Sequence, residues 1–173
     1  VAVTGAASST DLAYSGVDPA DVSVTNADDD VAGVTVTPTS GLLTSEGAQS
    51  TNFAAVLNTP PSADVVIVFA SSDETEGTVS PSLLVFTALN WNVPQLVTVT
   101  GVNDSVADGS QTFTVVGSST TSTDPAYNGL DVADVTVTNS DNDTAGITVT
   151  PLTGLITSEQ GGAAPFALVL NTP

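Results

Sequence analysis

Apolar and polar residues alternate with a period of two through most of the chain, and no segment shows the three-to-four-residue spacing of an amphipathic helix. The alternating runs are rich in Val and Thr, and Gly, Pro, Asn and Asp separate them, as is typical of strands joined by turns. The pattern predicts seven strands between residues 31 and 143, at 34–38, 51–58, 63–70, 82–87, 95–102, 111–117 and 133–139. Seven short strands in about 110 residues predict an all-β fold, a seven-stranded antiparallel β-sandwich.

The sequence repeats itself at a spacing of 113 residues. Residues 11–60 align without a gap with residues 124–173 and share 31 of 50 positions. An internal repeat indicates a tandem array of similar domains. We therefore expect residues 1–30 to be the C-terminal part of a preceding repeat, residues 31–143 to form one complete sandwich, and residues 144–173 to be the N-terminal part of a following repeat.

Charge narrows the possible partners. The chain carries a formal charge of −19 and contains no Lys, Arg or His, while 40% of its residues are hydrophobic. That apolar share fits a folded protein better than an acidic disordered tail. The uncompensated negative charge disfavours nucleic acid and anionic membrane surfaces and favours metal cations. No apolar run is long enough to cross a bilayer, so we expect no membrane insertion in this segment.

The absent residue types also exclude several chemistries. Without His, Cys or Lys the chain cannot build a Ser-His-Asp triad, a Cys-His pair, a Schiff base or a His/Cys zinc site. Two carboxylates alone could build a glycosidase, but here they lie in repeated loops with no sign of a cleft. We therefore expect a protein that is not an enzyme.

The acids gather at one end of the predicted sandwich. If each strand crosses the sandwich once, successive connections alternate between two ends, and we name the end reached by the first strand the top and the other the bottom. Eight of the unit's twelve acids fall at the top: Glu46, Asp73, Glu74, Glu76, Asp104, Asp108, Asp141 and Asp143. The other four fall at the bottom: Asp64, Asp124, Asp131 and Asp134.

Convergent carboxylates at the top predict a calcium site. Calcium takes roughly six to eight oxygen ligands, whereas magnesium prefers a stricter octahedron and keeps its water. An alternative is that acidic loops only keep the surface soluble. The repeat extends the candidate ligands to the acidic triplet Asp28, Asp29 and Asp30 in "VTNADDDVAG", which recurs as "VTNSDNDTAG", and to Glu159, which corresponds to Glu46.

The complete unit resembles the Calx-β domain, an immunoglobulin-like sandwich that binds calcium. The resemblance rests on "TSEG" after the first strand, "SSDETEG" after the third, "VNDSVADG" after the fifth, and the terminal "DND". It implies that calcium is bound by Glu46, Asp73, Asp104, Asp108, Asp141 and Asp143. Asn103 and Asn142 stand where the family pattern favours acids, which implies fewer or weaker ions.

The resemblance extends to tandem repeats of large bacterial extracellular and surface proteins. It implies a calcium-stabilised structural repeat of an extracellular filament, stalk or adhesin, with Ca2+ at inter-domain junctions stiffening the array. Its partners would be calcium ions, neighbouring repeats and identical chains in a filament. The alternative is a ligand- or glycan-binding module of a surface adhesin. Trp91 could stack on a sugar in that case, although a Trp that caps the sandwich is the commoner arrangement.

Overall fold

The computed structural model describes residues 2–3 and 5–173, with side chains from Gly5 onward. The chain forms two compact units, one ending at Asp30 and the other comprising Val31–Pro173. In the first unit, strand β1 (Ala2–Val3) pairs antiparallel with β2 (Val22–Ser23). Within the described residues, no helix has the length and apolar character needed to cross a bilayer.

Residues 31–143 form a β-sandwich of two sheets. One sheet has four strands, which in sheet order are β3 (Val34–Thr37), β5 (Ser50–Leu57), β9 (Gln95–Gly101) and β7 (Gly77–Ser80). The other sheet runs in the order β11 (Thr121–Ser122), β6 (Val65–Ser71), β10 (Gln111–Gly117), β12 (Val135–Ser140) and β4 (Leu42–Ser45), and β8 (Leu83–Phe86) also pairs with β6. The all-β sandwich expected from the period-two pattern is therefore confirmed.

The structure has more strands than the sequence predicts. In two places the chain crosses the sandwich once but forms two short strands, one in each sheet. The predicted strand 34–38 ends at Thr37, and the chain beyond Pro38 joins the other sheet as β4, which lies parallel to β12. Likewise β7 pairs with β9, and the chain beyond Pro81 continues as β8 beside β6. Proline has no N–H for a strand ladder, so it ends pairing in one sheet. The short β11, which pairs with β6, also escaped prediction because it has only two residues.

Alternate residues of these strands build one hydrophobic core between the sheets. Phe53 from the four-stranded sheet is 1% exposed and meets Phe69 from the other sheet edge to face, with ring centroids 5.0 Å apart. Threonine is the commonest residue at the outward positions, as in β12, where Thr136 is exposed between the buried Val135 and Val137. The alternation that predicted the strands therefore reports the two faces of each sheet.

The hairpin of residues 144–173 repeats the start of the complete unit. Strand β13 (Ile147–Thr150) pairs antiparallel with β14 (Ala167–Leu170), and these bounds lie 113 residues after those of β3 and the last half of β5. In both hairpins a threonine hydroxyl donates to an asparagine Oδ1 at 2.7 Å. Phe166, however, is 59% exposed whereas its counterpart Phe53 is buried. The face of this hairpin that corresponds to the core face of the complete unit is therefore exposed. That the hairpin belongs to a following repeat stays a prediction.

Candidate metal centre

Four segments meet at the top of the sandwich. They are the turn between β4 and β5, the loop before β7, the loop between β9 and β10, and the segment that follows β12. Backbone hydrogen bonds tie them together: the Glu46 N–H donates to the Ser140 carbonyl at 3.1 Å, and the Val102 N–H donates to the Glu76 carbonyl at 3.0 Å. The Gly109 N–H adds a bond of 2.8 Å to Asp141 Oδ2. These bonds place acids from distant parts of the chain side by side.

Three of the predicted ligands form one compact group. Carboxylate oxygens of Glu46, Asp104 and Asp143 all lie within 4.8 Å of one another. Calcium–oxygen bonds measure about 2.3–2.6 Å, so two oxygens on one ion are at most about 5 Å apart. The spacing of this group therefore fits a single shared cation.

A second group adjoins the first and shares one residue with it. Oxygens of Glu76, Asp104 and Asp108 also lie within 4.8 Å of one another. Because Asp104 belongs to both groups, its two carboxylate oxygens could serve two neighbouring cations. Asp104 Oδ1 also accepts the Val106 N–H at 2.7 Å, which fixes the loop that carries Asp108.

Glu46 lies in an unfavourable electrostatic setting. The side chain is 4% exposed, and its Oε2 accepts the Asn142 N–H at 3.0 Å. That hydrogen bond acts to lower the pKa of Glu46, but burial and the nearby charges of Asp141, Asp104 and Asp143 outweigh it and raise the pKa above its usual value. A carboxylate in this position is destabilised unless a cation joins it.

Asp143 contains a polar atom that this fold leaves unpaired. Its Oδ2 is buried and finds no hydrogen-bond partner among the described residues. Its backbone N–H meanwhile donates to Asp141 Oδ1 at 2.6 Å. Buried polar atoms in native proteins nearly always have a partner, and an exception points to a missing water or ion. Because the chain has no cationic side chain, no residue of its own could neutralise this oxygen.

Two other predicted ligands accept hydrogen bonds from the loops at the top. Asp73 Oδ1 accepts both the N–H and the hydroxyl of Thr75, and these bonds lower the pKa of the exposed Asp73 carboxyl. Asp141 accepts N–H groups with both of its oxygens, from Asp143 and Gly109. Among the residues that the structure describes, no cation-sized group of carboxylates includes either of them. Both shape the loops that carry the grouped acids.

The repeat-related candidates also lie outside the two groups. Asp28, Asp29 and Asp30 belong to the first compact unit and are exposed. Their turn copies the later triplet, since the Asp30 N–H donates to Asp28 Oδ1 at 3.2 Å. Glu159 is exposed in the turn after β13, where Ser158 bridges to Gly162. These residues repeat the local geometry of the site, and no group of carboxylates among the described residues includes them.

Sequence reasoning counted Glu76 among the top acids but did not select it as a ligand. The side chain is 8% exposed, which is unusual for an unpaired glutamate. Its signal is the dipeptide Glu-Gly, which it shares with Glu46 in "TSEG". Gly77 is required there because a Cβ would lie 2.2 Å from a ring carbon of Phe113. Glu76 therefore lies at the point where the backbone packs directly against a core side chain.

The bottom end holds structural residues. Trp91 is half-buried against the core, and its carbonyl accepts the Leu57 N–H, which is the capping arrangement. Tyr127 is 1% exposed, and its hydroxyl bonds the N–H, the carbonyl and the hydroxyl of Thr59. Asp124 accepts the N–H groups of Ser62 and Ala126, which lower its pKa. These contacts account for the conspicuous residues of this end without a ligand.

No family model matches the sequence, and no curated protein matches it. Among solved structures, the chain is similar to CBD12 from CALX1.2, with 17% identity and a TM-score of 0.50 over 72% of this chain and 51% of that one. It is also similar to the periplasmic chaperone SfaE, with 13% identity and a TM-score of 0.50 over 64% and 58%. The calcium binding domain CBD12 of CALX1.1 matches at 13% identity and a TM-score of 0.49 over 81% and 70%.

These similarities concern the fold. The chain spans little more than half the length of the CALX1.2 and SfaE structures. At these identities the shared feature is the β-sandwich, which is immunoglobulin-like and Calx-β-like. The acidic groups at the top are therefore interpreted from their own geometry.

Proposed function

We propose that this chain is a calcium-stabilised structural repeat of an extracellular filament, stalk or adhesin. Glu46, Asp104 and Asp143 would hold one ion, and Glu76 and Asp108 would share Asp104 with a second. The observation that carries the proposal is the buried, unpaired Oδ2 of Asp143 within one cation's reach of two other carboxylates.

The donor set favours calcium over other metals. It consists of carboxylate oxygens, with backbone carbonyls nearby and no nitrogen or sulfur ligand, which suits a hard cation. Calcium tolerates the irregular arrangement that four loops supply, whereas magnesium requires a near-ideal octahedron. Extracellular modules bind calcium at about 10⁻⁴–10⁻³ M, so a surface location suits even a weak site.

The role of the ion would be mechanical. Bound calcium would neutralise the crowded carboxylates and hold the four loops together. Only Thr144, Ala145 and Gly146 separate the triplet from β13, so fixing Asp143 would also fix the direction in which the chain leaves the sandwich. A linker of three residues spans at most about 10 Å, which leaves a following repeat little freedom once its start is fixed. The short linker supports a stiffening role in a tandem array, and identical chains as filament partners are part of the same proposal.

Elemental analysis after equilibrium dialysis tests the proposal. Protein at dialysis equilibrium with millimolar calcium should hold up to two ions per complete unit above the calcium level of the buffer, and dialysis against chelator should remove them. Glu46→Gln and Asp104→Asn should each lower the count, whereas Asp64→Asn, an exposed acid at the bottom, should not. Wild-type protein without calcium above the buffer level would contradict the proposal.

A further inference from the structure

One buried amide lies beneath the candidate site. Asn139, in β12, is 1% exposed. Its Oδ1 accepts the Thr44 hydroxyl at 3.0 Å, and its Nδ2 donates to Glu76 Oε2 at 3.2 Å and to the Val102 carbonyl at 3.1 Å. The acceptor and both donors of the side chain are therefore engaged. A fully satisfied buried amide has one orientation and holds its partners in one arrangement.

The partners of this amide lie on the segments that carry the acids. Each of the three strand ends has a candidate ligand two residues further along: Glu46 after Thr44, Asp104 after Val102, and Asp141 after Asn139 itself. The third partner, Glu76, is itself a member of the second group. Gly101 allows this close packing, because a Cβ there would lie 2.4 Å from Asn139 Oδ1 and from the Ser45 carbonyl oxygen.

Glu76 depends on this contact more than the other acids do. Its carboxylate is buried, the chain offers no cationic partner, and the Asn139 amide is its hydrogen-bond donor. A buried carboxylate that loses its donor must find another partner or turn towards solvent. Turning outward would carry its oxygens away from Asp104 and Asp108. The amide therefore decides whether the second group exists.

We infer that Asn139 is a positioning residue that presets the second cation position by holding Glu76 towards Asp104 and Asp108. The inference rests on the proposed function, because it assumes that the top binds calcium. It goes further because it makes the second cation position depend on one buried amide that is not itself a ligand. Changes to residues that orient metal ligands commonly weaken metal affinity about 10–100-fold. An Asn that only joined the two sheets would affect stability and leave calcium affinity unchanged.

Calcium titration by isothermal calorimetry of the 173-residue chain provides the test. Asn139→Leu, which keeps the volume and removes the hydrogen bonds, should weaken the second calcium at least about 10-fold. Glu76→Gln should weaken the same ion. The double variant should be little weaker than the stronger single one, because the two side chains act through one contact. Asn52→Leu makes the same change at a control position, since this exposed asparagine lies within β5 and accepts the Thr98 hydroxyl.

The outcomes separate the inference from its premise. Absence of calcium binding in the wild type would reject the proposed function itself. Calcium binding by Asn139→Leu within twofold of wild type, or additive effects in the double variant, would overturn the inference alone. If Asn139→Leu does not fold, Thr44→Val replaces it, because that change removes one hydrogen bond of the amide and keeps the volume. Unchanged calcium affinity in folded Thr44→Val would likewise overturn the inference.

Discussion

Glu46 and Asp143 present carboxylate oxygens within 4.8 Å of each other although 97 positions separate them in the sequence. Glu46 follows β4 and Asp143 follows β12, and these two strands lie side by side in parallel. Parallel neighbours end at the same edge, so the pairing itself brings two negative charges together. A chain without cations leaves that repulsion uncompensated, and an external cation would remove it.

Calcium should raise the melting temperature of the protein. A site occupied at a hundred times its dissociation constant adds about 2.7 kcal/mol, which corresponds to roughly 5–10 °C in a domain of this size. Asp104→Asn should remove most of the shift, because Asp104 belongs to both carboxylate groups. Asp64→Asn should leave it intact. Calorimetric melting that is the same in chelator and in millimolar calcium would contradict the metal site.

Glu46→Gln should have opposite effects with and without calcium. The pKa of Glu46 is raised in the fold, so its contribution to stability is present below the ordinary glutamate value and is lost as pH rises through the folded-state pKa. In chelator, therefore, wild-type stability should fall with rising pH across this window, and the variant should fall less. With calcium at neutral pH the variant should be the less stable protein. Urea unfolding at a series of pH values measures this, and equal slopes for the two proteins would refute the assignment.

Asp124→Asn should destabilise the bottom end without affecting calcium. The N–H groups of Ser62 and Ala126 lower the pKa of Asp124, so its contribution is present above the ordinary aspartate value and is lost as pH falls through the lower folded-state pKa. The variant should therefore melt lower than wild type at neutral pH, and the difference should shrink in acid. Thermal melts in chelator from pH 7 down to about pH 3, which lies below the reference pKa of Asp, check this. A difference that stays constant would argue against a charged role.

Tyr127→Phe should cost about 1–3 kcal/mol of unfolding free energy. The change leaves the ring in place but removes the hydroxyl that bonds Thr59, and buried backbone groups left without a partner carry a penalty of this size. Tyr14→Phe is the matched control, because Tyr14, the repeat counterpart of Tyr127, is 63% exposed, so its change should be neutral within about 0.5 kcal/mol. Denaturant unfolding of both variants decides the matter. Equal stabilities would show that the Tyr127 hydroxyl contributes nothing.

Removal of calcium should loosen consecutive repeats. In the proposed array the ion fixes Asp143, which only three residues separate from the start of β13. Small-angle scattering from a protein of three consecutive repeats should give a larger maximum dimension in calcium than in chelator. A tandem protein with Asp104→Asn in every repeat should give the chelator value in both buffers. Identical dimensions for the wild type in both buffers would reject stiffening even where calcium is bound.

The alternation of apolar and polar residues predicted the β-sandwich. The strands that it missed around Pro38 and Pro81 lie where the chain passes from one sheet to the other. The sequence reads as a strand followed by a loop at Pro38 and as a loop followed by a strand at Pro81, because a four-residue strand such as β7 has too few positions to show a period. Alternation reports which face a residue occupies and not which sheet the strand joins. The seven crossings were therefore predictable, whereas their division between the sheets depends on tertiary packing.

Part of the site was predictable because the number of strand crossings was predictable. Counting strand crossings placed Glu46, Asp104 and Asp143 at one end, and the structure brings these three together. Counting crossings could not show that the Asp73 carboxylate accepts hydrogen bonds from Thr75 within its own loop, or that the Glu76 carboxylate accepts one from the buried Asn139. Those choices depend on side-chain hydrogen bonds between strands that are distant in sequence. A family pattern supplies residue types, while the fold decides which of them converge.

Crystals of the 173-residue chain grown with calcium, measured near an absorption edge or at long wavelength for anomalous scattering, test the central claim most directly. The account predicts an anomalous peak with oxygens of Glu46, Asp104 and Asp143 at about 2.3–2.6 Å, and no such peak in crystals of Asp143→Asn. A structure in millimolar calcium in which these three carboxylates bind only water, or in which calcium lies only outside the two carboxylate groups, would contradict it.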